Sequence, residues 1–309
     1  MNHNVCAIII TYNPEIEKFK NVIKSISGNN QTIVIVDNAS MSQNSISNIA
    51  NTYNAVFIPL PENEGIAYAQ NVGITYALEN EFHYVFLMDQ DTIIPHEGIA
   101  SLLKTHSELE QAGEKIGSIG YAYKNTHTQQ LSPIWRCHKT RIKEEIINLN
   151  IKKIFEVDFT IASGSLIAST ALRKIGLMDA DLFIDSVDLE WGLRAQALGY
   201  KNFQSFEKIM EHSLGSRNKK LFHKYITIHP PIRNYYIIRN SIRLLRMNHV
   251  NKTWKKYLIK RIFLFFFVFG FCVDEHYKRI YLMTRGIWDG LLGRQGRIDR
   301  DMKQHKPIN

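Results

Sequence analysis

Four short apolar runs, separated by stretches of mixed polarity, organise the first hundred residues. They are residues 5–11 (VCAIIIT), 32–38 (TIVIVDN), 55–60 (AVFIPL) and 84–91 (YVFLMDQD). Each is apolar at consecutive rather than alternate positions and rich in β-branched side chains. That pattern fits strands covered on both faces by helices, as in a parallel sheet. The stretches between them have helical length. Residues 16–27 open after Asn13-Pro14, 42–53 follow Ser40, and 65–80 follow Asn63, a candidate N-cap. The alternation predicts a doubly wound α/β half of roughly 100 residues. Further on, 116–123 and 157–168 read as strands, and 124–150 as loop and edge structure. Residues 169–176 and 187–199 read as helices, the latter closing at Gly199.

The last third changes character. Residues 221–249 read as an amphipathic basic helix, with Arg239, Arg243 and Arg246 at i, i+4, i+7. Tyr235, Ile238, Ile242 and Leu245 lie on an adjacent stripe. Residues 262–273 (IFLFFFVFGFCV) are apolar throughout and follow Lys255, Lys256, Lys260 and Arg261. Twelve residues span about 18 Å as a helix, against roughly 30 Å for a hydrocarbon core. This segment is therefore expected to be interfacial or buried, not membrane-spanning.

Composition narrows the class. The chain has 309 residues, 45% hydrophobic and 22% charged, which excludes a disordered, collagen-like or disulfide-scaffold protein. A mean hydropathy of −0.20 excludes a polytopic membrane protein. Cys6, Cys137 and Cys272 form no C-x-x-C pair, which fits a reducing compartment. The N-terminus lacks a leader pattern, so the catalytic part is expected in the cytoplasm. Charge is uneven: residues 1–216 carry 17 basic and 24 acidic side chains, a net −7, while 217–309 carry 21 and 5, a net +16. A mildly acidic body with a strongly basic end seeks phosphates, either of nucleic acid or of an anionic membrane face.

In open α/β sheets ligands bind beyond the carboxyl ends of the strands. Three of the four runs end there in polar residues: Thr11-Tyr12-Asn13, Asp37-Asn38 and Asp89-Gln90-Asp91. Asp and Asn also suit turns, so Asp37 alone decides nothing. The Asp89/Asp91 pair is more telling, because two carboxylates beside a diphosphate can share a divalent cation. Neither G-x-G-x-x-G after the first run nor G-x-x-x-x-G-K-[ST] occurs. A nucleotide site here needs side chains or a metal to handle phosphate charge.

Eight motifs in order carry a family resemblance over roughly residues 5–245. They are IIITYNP at 8–14, VIVDNAS at 34–40, PENEGIAYAQNVGI at 61–74 and FLMDQDTIIP at 86–95. Then come IASGSLI at 161–167, LFIDSVDLEWGLRAQALGY at 182–200, EHSLGS at 211–216 and RNYYIIRN at 233–240. The chain resembles the family-2 inverting glycosyltransferases, in particular their rhamnosyltransferase-like branch, to which the DQD form and the D-x-E-W helix point. Gln70 stands before Asn71 where many members carry Arg. The resemblance implies a GT-A fold: α/β, a mostly parallel central sheet flanked by helices. Residues 1–220 would form the catalytic domain and 221–309 a basic helical extension for membrane docking or oligomerisation.

The implied reaction moves a sugar from a nucleoside diphosphate to an acceptor hydroxyl with inversion. It needs a base, a charge sink and a grip on the nucleotide. Asp188 stands where the family's catalytic Asp does; an acid in a first helical turn is otherwise favoured by the macrodipole. Glu190 is two positions on and faces elsewhere on a helix, so it is assigned to acceptor or helix support. Mg²⁺ or Mn²⁺ is expected on Asp91, with Asp89 near metal and ribose, and His212 on metal or diphosphate. Thr11, Tyr12, Asn13, Asp37, Asn38 and Gln90 should hold base and ribose. Asn63, Gly65 and Asn71 lie at or near a helix start suited to phosphate. Ser163, Gly164 and Ser165 should flank donor sugar and acceptor, with Arg194 beside them. Trp191 either stacks on an acceptor sugar or sits in the core.

The branch resemblance implies dTDP-L-rhamnose as donor, with a UDP-hexose as the alternative. The acceptor would be a saccharide or lipid-linked saccharide of bacterial surface polysaccharide (O-antigen or capsule). The enzyme would then work on an anionic membrane, peripheral on its inner face. The basic end could instead be solvated, with 262–273 in a core or a homo-oligomer. A nucleic-acid-binding protein would explain the aromatic and basic interleaving after residue 220, but not the acidic body or the D-x-D at a strand end. A sugar nucleotidyltransferase would open with a Gly-rich basic loop, where this chain has TYNPEIEKF.

Overall fold

β1 (Val5–Thr11), β2 (Thr32–Asp37), β3 (Val56–Pro59) and β4 (Tyr84–Asp89) are the four apolar runs, all paired in parallel. All seven residues of β1 are buried, since helices cover both faces of the sheet. The connecting helices are α1 (Ile16–Ile26), α2 (Gln43–Thr52) and α3 (Ile66–Glu79). α1 buries Phe19, Val22, Ile23 and Ile26, the three-to-four spacing of one helical face. α3 closes directly on β1: a Cβ on Gly73 would overlap Ile8 Cγ2. The computed structural model describes residues 4–27, 31–125, 131–138, 141–145, 153–212, 218–221 and 224–299.

The second half of the sheet departs from the expected elements. α4 (Gly98–Gln111), between β4 and β5 (Ile116–Asn125), was not anticipated. The expected loop at 124–150 contains a hairpin, β6 (Ile134–His138) and β7 (Arg141–Glu145). The single strand expected over 157–168 is two, β8 (Ile154–Val157) and β9 (Ser165–Ala168). Gly164, at φ +80°, lies in the turn that separates them. α5 (Ser169–Ile175) and α6 (Val187–Ala197) fall where expected. β10 (Lys201–His212) was missed, because register shifts between Ser205 and Ile209 break the alternation a strand would show. Among the described residues these strands form one eight-stranded sheet, ordered β3-β2-β1-β4-β9-β5-β10-β8. β9 and β8 run antiparallel to their neighbours and the rest are parallel.

The last third contains a short antiparallel pair, β11 (Asn218–Leu221) and β12 (Lys224–Thr227), and then α7 (Pro231–Arg246), α8 (Lys252–Phe271) and α9 (His276–Leu292). The helix expected over 221–249 thus starts only at Pro231, where a proline suits the first turn; residues 222–223 lie outside the described residues. Its arginine stripe is not a free basic face. Arg239 is buried, donating from Nη2 to the carbonyls of Leu182 at 2.9 Å and Asp181 at 3.1 Å and from Nη1 to Gly296. Arg243 pairs with Asp181 at 2.7 Å, and Arg246 donates to the Leu291 carbonyl at 3.0 Å. α7 and α9 approach closely through glycines: a Cβ on Gly286 would lie 2.7 Å from the Tyr235 carbonyl oxygen. Among the described residues no helix is long and apolar enough to cross a membrane.

Candidate active site

The carboxyl ends of β1 and β4, the start of α3 and the turn before α6 enclose a groove of about 970 Å³, ample for a nucleotide sugar. Asp89, Gln90 and Asp91 form one wall, and Asp185, Ser186 and Asp188 another. Tyr12, Asn38, Asn63, Gly65 and Ser163 also line it.

The wall at β4 is cross-braced. Gln90 Oε1 accepts from the Tyr12 backbone N–H at 2.7 Å, and its amide donates back to the Tyr12 carbonyl at 3.3 Å. Ser163 Oγ accepts from the Asp89 N–H at 3.1 Å and bonds Thr92 Oγ1 at 2.9 Å. The β2 end is linked to the α3 start through Asn38, whose amide donates to Asn63 Oδ1 at 3.1 Å. Asn63 Oδ1 also accepts from the Gly65 N–H at 3.0 Å. Gly65, not Asn63, is the N-cap of α3. Its φ is +88°, and a Cβ there would lie 2.5 Å from both Phe183 Cδ2 and the Phe183 carbonyl oxygen. Glycine is required by conformation and by space alike. Gln70 is buried at the groove, and among the described residues its Oε1 has no hydrogen-bond partner.

Asp188 lies in the first turn of α6 and is partly buried on the groove. Burial, chiefly, pushes its carboxyl up to about 7; the charges of Asp89 and Asp185 push the same way, and the Ala162 backbone N–H opposes them. Such a group takes a proton near neutral pH.

The turn leading into α6 is unusual backbone. Phe183, Asp185 and Ser186 have φ of +62°, +66° and +65°, a conformation that costs non-glycine residues energy and persists only when surroundings impose it. α7 supplies that constraint. Asn240 Nδ2 donates to the carbonyls of Leu182, Ile184 and Asp185 at 2.8–2.9 Å. Arg233 grips the Asp185 carboxylate, and His229 Nδ1 lies 3.4 Å from Arg233 Nη1. His229 is pushed down to about 4, by burial first and Arg233 second, and is neutral at pH 7. Trp135, Asp185, His229, Arg233 and Arg261 line the groove and were not among the site residues expected from the sequence. Arg233 and Asn240 stand in the RNYYIIRN motif, which was the available signal.

Several expected residues are not among those that line the groove. Asp37 is fully buried and bonded to Thr11 Oγ1 at 2.7 Å and Ser40 Oγ at 2.6 Å; it orders the β1–β2 ends, and Thr11 is buried with it. Asn13 ties to Ser40 and Met41. Asn71 brackets Met178, accepting from its N–H at 2.8 Å and donating to its carbonyl at 2.9 Å. Glu190 is buried and paired with Arg194 at 2.9 Å, whose remaining donors reach the Ile175 and Leu177 carbonyls. Trp191 is in the core, with Nε1 donating to the Gly176 carbonyl at 2.9 Å. Ser165 Oγ donates to the Ile161 carbonyl at 2.6 Å, and the Gly164 carbonyl accepts from Tyr121. His212 is the last residue of β10; residues 213–216 of its motif lie outside the described residues.

Among the described residues no cluster of three or more His, Cys, Asp or Glu side chains could hold a metal unaided. Asp89 and Asp91, two hard oxygen donors on the groove wall, fit a cation bound by one or two carboxylates and completed by substrate phosphates.

The glycosyl transferase family 2 model matches residues 6–176. The chain is 34% identical over 252 residues, 81% of its length, to dTDP-rhamnosyl transferase RfbF of Shigella flexneri, of which 82% is covered. Among solved structures it is similar to S. aureus TarS, with a TM-score of 0.57 and 15% identity over 94% of this chain; it spans 49% of that longer protein. The mannosyltransferase PcManGT of Pyrobaculum calidifontis, in complex with GDP-Man and Mn²⁺, gives 0.56 and 14% over 94% of this chain and 75% of its own. The GT-A fold implied by the sequence is thus the fold observed.

Proposed function

The chain belongs to glycosyl transferase family 2, and from that premise we propose that this glycosyltransferase moves L-rhamnose from dTDP-L-rhamnose to a saccharide acceptor with inversion. The observation that carries the reading is Asp188, a partly buried carboxyl facing the same groove as Asp89 and Asp91. The acceptor oxygen attacks the anomeric carbon as its bond to the diphosphate breaks. The acceptor proton passes to Asp188, and dTDP leaves with the bonding electrons. Asp89 and Asp91 would hold Mg²⁺ or Mn²⁺, which supplies charge neutralisation to the departing diphosphate. Asn38, Tyr12 and Gln90 hold base and ribose. Gln70 Oε1, lacking a partner among the described residues, accepts from a sugar hydroxyl. Support for rhamnose over a UDP-hexose comes from the RfbF relative. The acceptor is a saccharide or lipid-linked saccharide of a bacterial surface polysaccharide, met at the inner face of the cell membrane.

The test is thermal stabilisation by dTDP and by UDP, each with and without Mn²⁺. A ligand that binds only the folded state raises the melting temperature by mass action. Metal-dependent stabilisation by dTDP, lost in Asp91→Ala, is expected. Stabilisation by UDP alone would replace the donor, and none by either nucleotide would contradict the reading.

A further inference from the structure

α8 has two unlike halves. Its first half is fixed to the catalytic body: Trp254 and Leu258 are buried, and Trp254 Nε1 donates to Asp158 at 2.6 Å. Its second half buries Phe269 against α7 and α9 but leaves a stripe of large apolar side chains in solvent. Phe263, Phe267 and Phe271 are 72%, 58% and 67% exposed, and Leu264 beside them is 59% exposed. The four-residue spacing puts the three phenylalanines on one side of the helix. Lys256 and Lys260 continue the same stripe toward the N-terminus, both exposed. α9 repeats the pattern, with Tyr277, Tyr281 and Trp288 exposed at 81%, 64% and 63%. An apolar surface of this extent marks an interaction site.

Charge selects the occupant. Residues 252–273 carry five basic side chains and no acidic one. At the turn that follows, Asp274 and Glu275 are exposed, and Glu275 is paired with Lys278 at 3.5 Å. A second copy of the same face would meet like charge, whereas anionic phosphate would meet opposite charge. Because no described helix can span a bilayer, the aromatic stripe would lie in the interface plane. Arg261, two residues before Phe263 and so on a different face of α8, lines the catalytic groove.

We propose that the exposed Phe263–Phe267–Phe271 stripe of α8, continued by Lys256 and Lys260, docks the enzyme on an anionic phospholipid surface. Of the α7 arginines, Arg233, Arg239 and Arg243 are spent on partners within the chain, and the exposed Arg246 donates to the Leu291 carbonyl. A lipid-carried acceptor would meet a docked enzyme at the same surface; that consequence rests on the transferase reading, whereas docking does not.

The experiment is co-sedimentation of the full chain with vesicles of phosphatidylglycerol and phosphatidylcholine in equal parts, against phosphatidylcholine alone. Wild type should partition onto the anionic vesicles and be released by salt. Phe263→Glu with Phe267→Glu should weaken partition by about tenfold or more, and Lys256→Glu with Lys260→Glu should abolish the preference for the anionic lipid. All four positions are exposed, so the melting temperature and the affinity for dTDP should hold. Absent wild-type binding, or partition unchanged by both double variants, would overturn the proposal. So would a dimer in sedimentation velocity that Phe263→Glu with Phe267→Glu dissociates while vesicle binding persists. Failure of dTDP to bind would count against the transferase reading and leave docking intact.

Discussion

Arg233 holds Asp185 with two parallel hydrogen bonds, Nε to Oδ2 and Nη2 to Oδ1, both 2.9 Å. This fork joins the first turn of α7 to the strained residues that aim Asp188. The basic C-terminal third therefore reaches the catalytic turn itself. Arg233→Met should cost about 1.5 kcal/mol or somewhat more, at the low end for a charge-assisted pair because the arginine is partly solvated. It should lower kcat/KM by roughly tenfold to a hundredfold as the turn relaxes. Arg233→Lys should recover stability better than activity, since lysine cannot form the fork. Thermal melts and steady-state kinetics on the three proteins check this.

The raised Asp188 carboxyl has two consequences for pH. As a base it must be ionised, so kcat/KM should rise with pH through about 7. Stability should move the other way. The folded chain keeps a proton that the unfolded chain releases above its ordinary value of 3.8, so this stabilisation is full below that value and lost as pH rises through about 7. Asp188→Asn should flatten that part of the stability profile. Melting temperatures of both proteins at about pH 5 and about pH 8 measure the difference, which wild type should show and the variant should lack.

Gly65 predicts a coupled loss. The Ile66 N–H donates to the Phe183 carbonyl at 2.7 Å, so the start of α3 and the catalytic turn touch backbone to backbone. Gly65→Ala adds a methyl where no space exists and at a φ that alanine avoids. The cost should be about 2–4 kcal/mol, combining overpacking with backbone strain. Folding by urea denaturation and dTDP binding should both weaken; an unchanged midpoint would show that the contact yields freely.

The parallel half of the sheet was legible because its strands are buried on both faces and read as unbroken apolar runs. β10 was not, because a bulge near Ser205 and mixed polarity hide its alternation. Asp89, Asp91 and Asp188 could be singled out by motif order, and the structure brings all three to one groove. Motif order could not tell groove from scaffold. Asp37, Asn71, Glu190, Trp191 and Arg194 stand in the same motifs yet spend their polar atoms on neighbouring backbone and side chains. The converse failure is Arg239, whose helical spacing suggested a surface stripe. Its guanidinium is buried against carbonyls of residues 181, 182 and 296, partners too far off in sequence for periodicity to reveal.

The central claim is that Asp188 takes the acceptor proton and contributes nothing essential to holding the donor. The direct measurement pairs dTDP-L-rhamnose affinity with rhamnosyl transfer in wild type and Asp188→Asn. The account predicts affinity within about threefold and a fall in kcat of about a hundredfold or more, the usual worth of a positioned base. Near-wild-type turnover in Asp188→Asn would contradict it, and so would a loss of activity explained wholly by lost donor binding.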